Sequence, residues 1–217
     1  MNIKIKSAKF LYSRTKFEET RQPEICMVGR SNAGKSSLIN MLVGQKGLAK
    51  SSSTPGRTRL INYFEVELIG IVNDENINSK VILVDLPGYG YSKSSKADRE
   101  LWNSMIDDYL SKADTLSQCF LLVDSRHSPM ESDIQAAKYL YSKRLPFMII
   151  GAKSDKLSKS QINNSASQIA TGFRVGRDNI IMTSATTGIG RQELLTKIWG
   201  IGLVVDGGQE FDDKNIL

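Results

Sequence analysis

Gly29-Arg30-Ser31-Asn32-Ala33-Gly34-Lys35-Ser36 satisfies the phosphate-binding pattern G-x-x-x-x-G-K-[ST] at every fixed place. The apolar segment Ile25-Cys26-Met27-Val28 precedes it and reads as a buried strand. Ser37-Leu38-Ile39-Asn40-Met41-Leu42-Val43 follows and reads as a helix. In a strand–loop–helix of this kind the glycines let backbone N–H groups curl toward a polyphosphate, and the helix terminus adds positive potential. Lys35 is then placed to reach the β- and γ-phosphates, and the Ser36 hydroxyl to ligate Mg²⁺. The flanking elements favour a nucleotide site over a chance glycine-rich turn.

The remainder of the chain repeats the alternation. Leu60–Leu68 and Val81–Val84 read as strands around a polar hairpin tip at 71–79, and Gln118–Asp124, Phe147–Gly151 and Asn179–Met182 read as further strands. Helical patterns run over Lys96–Leu110, Ser132–Arg144, 158–173 and Gly190–Trp199. Strands alternating with helices predict an α/β fold of three layers: a mostly parallel six-stranded sheet with helices on both faces. Residues 1–22 form an N-terminal arm or edge strand, 23–205 the main domain, and 206–217 a flexible acidic tail. In such sheets ligands bind beyond the carboxyl ends of the strands, where the polar motifs cluster.

Composition narrows the alternatives. The 217 residues hold 40% hydrophobic and 24% charged residues, as in a globular domain, and contain no apolar run of the roughly 18–20 residues that span a bilayer. Cys26 and Cys119 sit in apolar strand patterns and read as buried thiols, which suits a reducing cytoplasm. A single histidine, His127, excludes a multi-histidine metal site. The net charge of +6 permits a nucleic-acid partner and equally a basic ligand pocket.

Asp85, in Asp85-Leu86-Pro87-Gly88, can hold Mg²⁺ through its water shell, and the Gly88 N–H can meet a γ-phosphate. Thr58, in the polar loop Ala49–Arg59, offers a hydroxyl that completes the Mg²⁺ shell when a γ-phosphate is present. Asp155, in Ala152-Lys153-Ser154-Asp155, chooses the base: a carboxylate accepts from guanine's N1–H and amine, whereas adenine presents an acceptor at N1. The Lys153 stem can lie along the base, and Ser184 and Ala185, after Thr183, can present N–H groups to guanine O6. Asp155 disfavours an ATP-dependent kinase that shares the phosphate loop. His127, Trp102 and Trp199 read as surface or packing residues, while Arg57, Arg59, Lys93 and Lys96 could form a basic face beside the two polar loops.

Three runs carry a resemblance to a known family: Gly29–Ser37, Ser52-Ser53-Thr54-Pro55-Gly56-Arg57-Thr58-Arg59-Leu60-Ile61-Asn62, and Val84-Asp85-Leu86-Pro87-Gly88-Tyr89-Gly90-Tyr91. Over roughly residues 7–200 the chain resembles the EngB (YihA/YsxC) family, within the TrmE-Era-EngA-EngB-Septin-like class of GTPases. The resemblance implies a Ras-like P-loop GTPase domain with Mg²⁺, a GTP/GDP switch acting in assembly of the large ribosomal subunit, and a role in bacterial cell division and septation. It implies contacts to GTP through Gly29, Arg30, Ser31, Asn32, Ala33, Gly34, Lys35 and Ser36. Further contacts come from Gly56, Arg57, Thr58, Arg59, Leu60, Asp85, Leu86, Pro87 and Gly88, and from Ala152, Lys153, Ser154, Asp155, Thr183, Ser184 and Ala185. Expected partners are the nucleotide and the large subunit or its precursor, with no membrane and a monomeric, cytoplasmic protein. A nucleotide-stabilised binding module with incidental turnover is the alternative.

Two departures stand out. The base motif N-K-x-D, commonly T-K-x-D in this family, begins here with Ala152, so side-chain bonds from that place to the phosphate loop are expected to be absent and nucleotide binding weaker. Tyr89 stands where Ras-like proteins have a water-orienting Gln, so hydrolysis is expected to be slow. No residue is firmly assigned to catalysis. Asn32, Lys35 and Thr58 are the transition-state candidates, with Asn32 resembling a phosphate-loop Asn that holds an activating K⁺ in related GTPases.

Overall fold

The computed structural model describes residues 2–18, 20–50, 60–89 and 96–206, with the backbone alone at 96–103 and 204–206. The strands are β1 (Lys4–Arg14), β2 (Glu24–Gly29), β3 (Ile61–Val72), β4 (Glu75–Asp85), β5 (Leu116–Asp124), β6 (Phe147–Ala152) and β7 (Ile180–Met182). The helices are α1 (Lys35–Val43), α2 (Lys96–Lys112), α3 (Glu131–Ser142), α4 (Lys159–Phe173) and α5 (Arg191–Asp206).

One sheet has the order β1-β3-β4-β2-β5-β6-β7. It contains seven strands rather than the six expected, because Lys4–Arg14 pairs antiparallel with β3 over its length. A run as short as Ile3-Lys4-Ile5-Lys6 does not separate an arm from a strand; Phe10 packing edge-on against Phe64 and Tyr12 tilted against Tyr63 supply the cross-strand packing. The β4-β2-β5-β6-β7 pairings are parallel and the β1-β3-β4 pairings antiparallel.

The polar tip expected at 71–79 shrinks to Asn73-Asp74, both at positive φ (50° and 65°), which is the backbone of a two-residue hairpin turn. The polar residues after it stay in β4 because they pair with β3 from Val72–Glu75 onward, and α5 covers Ser79 among them. Ser79 Oγ donates to the Trp199 carbonyl (2.8 Å) and Trp199 Nε1 to the Ile77 carbonyl (3.2 Å). α5 runs on past Trp199 to Asp206: a Cβ at Gly202 would lie 2.0 Å from Ser79 Oγ, so glycine lets the helix press against the strand.

Period-two alternation along β2 divides the core between the faces. Ile25 and Met27 join Leu38, Leu42, Phe64, Leu122, Leu194 and Trp199 beneath α1 and α5. Cys26 and Val28 join Tyr63, Val84, Tyr109, Leu121 and Leu140 beneath α2 and α3. Ala166 and Ile169 seat α4 on Ile149, Ile180 and Met182. Cys26 and Cys119 are register partners on β2 and β5, both buried free thiols, and burial pushes the Cys26 thiol up. Among the described residues no helix is long and apolar enough to cross a membrane.

Glu24 opens β2 fully buried. It accepts from the Tyr109 hydroxyl (2.6 Å), Thr20 (2.6 Å) and Thr115 (3.2 Å), which ties α2 to the start of the central strand. Burial raises the Glu24 pKa and these donors oppose the rise. Tyr109→Phe removes one donor from a buried carboxylate and is expected to cost about 1.5–3 kcal/mol at pH 7. The folded pKa, already above the unfolded value, moves further up, so the loss should grow as pH rises from about 4. Urea denaturation of both proteins at pH 4 and 7 checks the size and the sign.

Candidate nucleotide site

Register brings the polar motifs to one end of the sheet. Gly29 lies opposite Leu122, Met27 opposite Asp85, Asp124 opposite Ala152, and Gly151 opposite Met182, so the segments that leave these strands emerge side by side. The phosphate loop leaves β2 at Gly29 and enters α1 at Lys35 through Gly34, whose φ of 110° requires glycine. Asn32 also adopts a left-handed conformation (φ 64°) and is exposed. Lys35 is buried and its Nζ donates to the Gly29 (3.0 Å) and Arg30 (3.1 Å) carbonyls, which holds the ammonium inside the loop. Ala33 packs in the core beneath.

Ser36 Oγ donates to Asp85 Oδ2 at 2.7 Å. Burial raises the Asp85 pKa, with the Lys35 charge and the Ser36 hydroxyl opposing. A buried carboxylate and a hydroxyl at contact distance are hard oxygen donors that fit Mg²⁺, the remaining ligands being phosphate oxygens and water. Among the described residues no cluster of three or more His, Cys, Asp or Glu could hold a metal by itself.

Beyond Asp85 the chain continues to pair with the phosphate loop. Leu86 N–H donates to the Met27 carbonyl (3.4 Å), Tyr89 N–H to Gly29 (3.3 Å), and Ser31 N–H to Tyr89 (2.9 Å). Pro87 precedes the point of closest approach: a Cβ at Gly88 would lie 2.5 Å from Ser31 N, so only glycine fits against the loop. The Tyr89 hydroxyl donates to Asp133 Oδ1 at 2.9 Å. Leu60 is half-buried before β3, whereas Gly56, Arg57, Thr58 and Arg59, like Gly90, Tyr91 and Lys93, lie outside the described residues. The side chains of Lys96 and Trp102 do too.

At the base loop, Lys153 stands at a left-handed φ of 65° and its Nζ donates to the Asn32 carbonyl (2.8 Å) and to Asp124 Oδ2 (2.9 Å). A tie between base loop and phosphate loop, expected to be missing at Ala152, is therefore made one residue later. Ala152 is buried, and its Cβ would be 3.9 Å from a Cβ at Gly34. Ser154 is buried and opens a short 3₁₀ turn. Asp155 follows half-buried, with Oδ1 accepting from Ser184 Oγ (2.8 Å) and Oδ2 facing Lys156 (3.1 Å). The Ser184 hydrogen bond, then that of Lys156, lowers the Asp155 pKa, so the group is an ionised acceptor at neutral pH.

Ser184 was expected to offer its N–H to a base, but that N–H donates to the Ile189 carbonyl (3.1 Å). The tight turn after β7 uses it, and Ser184 instead orients Asp155. Thr183 is buried and its N–H donates to Gly151 (2.7 Å), and Ala185 is exposed beside the site.

Sequence reasoning gave no role to Asp124, Arg126, Met130 or Asp133. Partial burial pushes the Asp124 carboxyl up, but hydrogen bonds from Arg126 and Lys153 outweigh it and hold the pKa well below the usual carboxylate range. With Arg30, Asn32 and Lys153 these residues border a pocket of about 240 Å³ beside the phosphate loop, and exposed His127 stands on its rim. Asp-Ser-Arg at a strand end and an Asp in a first helical turn are ordinary surface patterns, so nothing local marked them.

The geometry defines a P-loop nucleotide-binding domain of Ras-like architecture. A family model described as 50S ribosome-binding GTPase matches residues 24–153. The probable GTP-binding protein EngB of Levilactobacillus brevis is 42% identical over 176 residues, covering 81% of this chain and 84% of the relative. That of Cytophaga hutchinsonii is 42% identical over 201 residues, 88% of this chain and 94% of the relative. A crystal structure of a probable EngB covers 83% of this chain and 99% of its own with TM-score 0.64 at 23% identity, a likeness of fold. Era bound to MgGDPNP and a 16S ribosomal RNA segment superposes with TM-score 0.60 at 21% identity, over 82% of this chain and 56% of its own. The chain is a P-loop GTPase and belongs to the EngB family of GTP-binding proteins.

Asp155→Asn replaces an acceptor pair by an acceptor and a donor. GTP affinity should fall about a hundredfold, and xanthosine triphosphate should overtake it. Competition titrations with both nucleotides check this, and an unchanged preference for GTP would put the base elsewhere.

Proposed function

We propose that residues 23–205 act as a GTP-gated G domain that assists assembly of the large ribosomal subunit. The observation that carries the reading is the link from Asp155 to the phosphate loop, because Ser184 fixes the carboxylate while Lys153 bonds the Asn32 carbonyl. One rigid unit therefore measures both guanine and polyphosphate.

In this reading the phosphate-loop N–H groups and Lys35 hold the β- and γ-phosphates, and Gly88 N–H meets the γ-phosphate. Ser36, Thr58 and, through water, Asp85 hold Mg²⁺, which supplies charge neutralisation at the β- and γ-oxygens when bound. Arg57, Arg59 and Leu60 approach the nucleotide from the loop before β3, and Leu86 and Pro87 from the segment after β4. Ala152, Lys153 and Ser154 form the wall of the base site with Thr183, Ser184 and Ala185. The Tyr89 side chain turns toward α3 and spends its hydroxyl on Asp133, so it does not orient water in this arrangement. This supports slow hydrolysis without an activator.

Asn32, exposed at the rim, is the candidate ligand of an activating K⁺. Turnover should be several-fold faster in potassium than in sodium buffer at equal ionic strength, and equal rates would remove the ion.

The family model's description, the net charge of +6 and the bacterial relatives support a ribosomal partner in the cytoplasm, and in this reading the protein acts as a monomer needed for normal cell division and septation. Purified protein loaded with GDP or a non-hydrolysable GTP analogue should co-sediment with large ribosomal subunits only in the analogue form, and less at high salt. Equal binding in both forms would favour a nucleotide-stabilised binding module, and binding in neither would remove the ribosome from this reading.

A further inference from the structure

Asp133 is buried in the first turn of α3. Its Oδ2 accepts the Met130 N–H at 3.1 Å and caps the helix, while Oδ1 accepts the Tyr89 hydroxyl at 2.9 Å. Burial, then the Asp133 charge and hydrogen bond, push the Tyr89 pKa far up with Arg30 opposing, so the phenol remains a donor. This bond reaches from α3 to the segment that follows Asp85.

That segment turns carbonyl oxygens toward the phosphate loop. Tyr89 O accepts the Ser31 N–H at 2.9 Å and Gly88 O accepts the Ser31 hydroxyl at 3.3 Å. A γ-phosphate arriving beside Ser31 meets the negative ends of two carbonyl dipoles, whereas a diphosphate brings no charge there. The Tyr89-bound arrangement and the γ-phosphate therefore compete.

Arg30 supplies the other half of the device. Its Nη1 rests on the Met130 thioether, a weak acceptor, and its Nε is buried with no hydrogen-bond partner among the described residues. Arg30, Met130 and Asp133 border the same pocket. The guanidinium is one strong acceptor short while the nearby carboxylate serves the phenol.

We propose that Asp133 is a positioning residue that discriminates between tri- and diphosphate by exchanging partners, bonding the Tyr89 hydroxyl without a γ-phosphate and the Arg30 guanidinium with one. The exchange keeps the buried carboxylate satisfied in both arrangements, so each persists until the nucleotide biases it. The inference rests on the GTP-site reading above.

The test measures Kd of the full chain for fluorescent GDP and a fluorescent non-hydrolysable GTP analogue, in the parent and three variants. Tyr89→Phe frees Asp133 for Arg30 and should raise the affinity ratio of triphosphate to diphosphate about tenfold. Arg30→Met keeps the packing bulk, removes the incoming partner, and should lower the ratio about tenfold. Asp133→Asn weakens both partners and should bring the ratio between those two. Opposite movement in Tyr89→Phe and Arg30→Met is not produced by general loss of packing, which weakens both nucleotides together. Should Tyr89→Phe fail to fold, Arg30→Met and Asp133→Asn carry the comparison. Unchanged ratios with intact GDP binding, or parallel losses of both nucleotides, overturn the exchange. Failure of the parent to bind either nucleotide overturns the site reading itself.

Discussion

β2 is buried along its whole length because strands flank it on both sides and helices cover both faces. Everything polar at the candidate site hangs from that constraint. Parallel pairing with β4 and β5, and of β5 with β6, sets the carboxyl ends of these strands level, so loops distant in sequence leave the sheet at adjacent points. A one-residue slip of β2 would exchange its two core faces and carry Gly29 out of line with Leu122 and Met27 out of line with Asp85. Burial of Ile25, Met27, Cys26 and Val28 thus fixes the phosphate loop as firmly as the loop's own hydrogen bonds do.

On this frame the polar groups form two connected sets. Lys153 joins the base loop to the phosphate loop and to Asp124, and Ser184 orients Asp155 from the next turn. Ser36 and Asp85 meet on the other side, where the segment after β4 lies along the loop. The first set is anchored in β5, β6 and β7, which are parallel and covered by helices. The second hangs on Gly88 and Tyr89, whose hydroxyl bonds Asp133 of α3. In the proposed reading, the Lys153 and Ser184 bonds support the base end, and the Tyr89–Asp133 bond is the contact that exchanges at the γ-phosphate end.

A second buried carboxylate, Glu24, stands at the opposite end of β2. Tyr109 reaches it from α2, the helix that follows the Gly88–Tyr89 segment. The carboxylate anchors that helix at the end away from the site. Thr20 and Thr115 complete its acceptor shell, so the charge is matched by donors from three elements of the chain.

The sequence by itself determined what is local. Gly29–Ser36 is contiguous, its flanks carry their own periodicity, and the alternation of apolar strands with helices follows from period alone. Asp85 and Asp155 were legible as strand-end carboxylates for the same reason. The tertiary structure decided what depends on distant partners. Lys4–Arg14 became a seventh strand because β3 offered it an edge, and Asn76–Ser79 stayed in β4 because β3 pairs with them, with Ser79 bonded to the Trp199 carbonyl of α5. Lys153 replaced the tie missing at Ala152 by reaching a carbonyl 121 residues away. Tyr89 found Asp133 across 44 residues of chain. A side chain's periodicity states which way it faces, but the atom it meets is set by where the sheet delivers another loop, and no local pattern encodes that meeting.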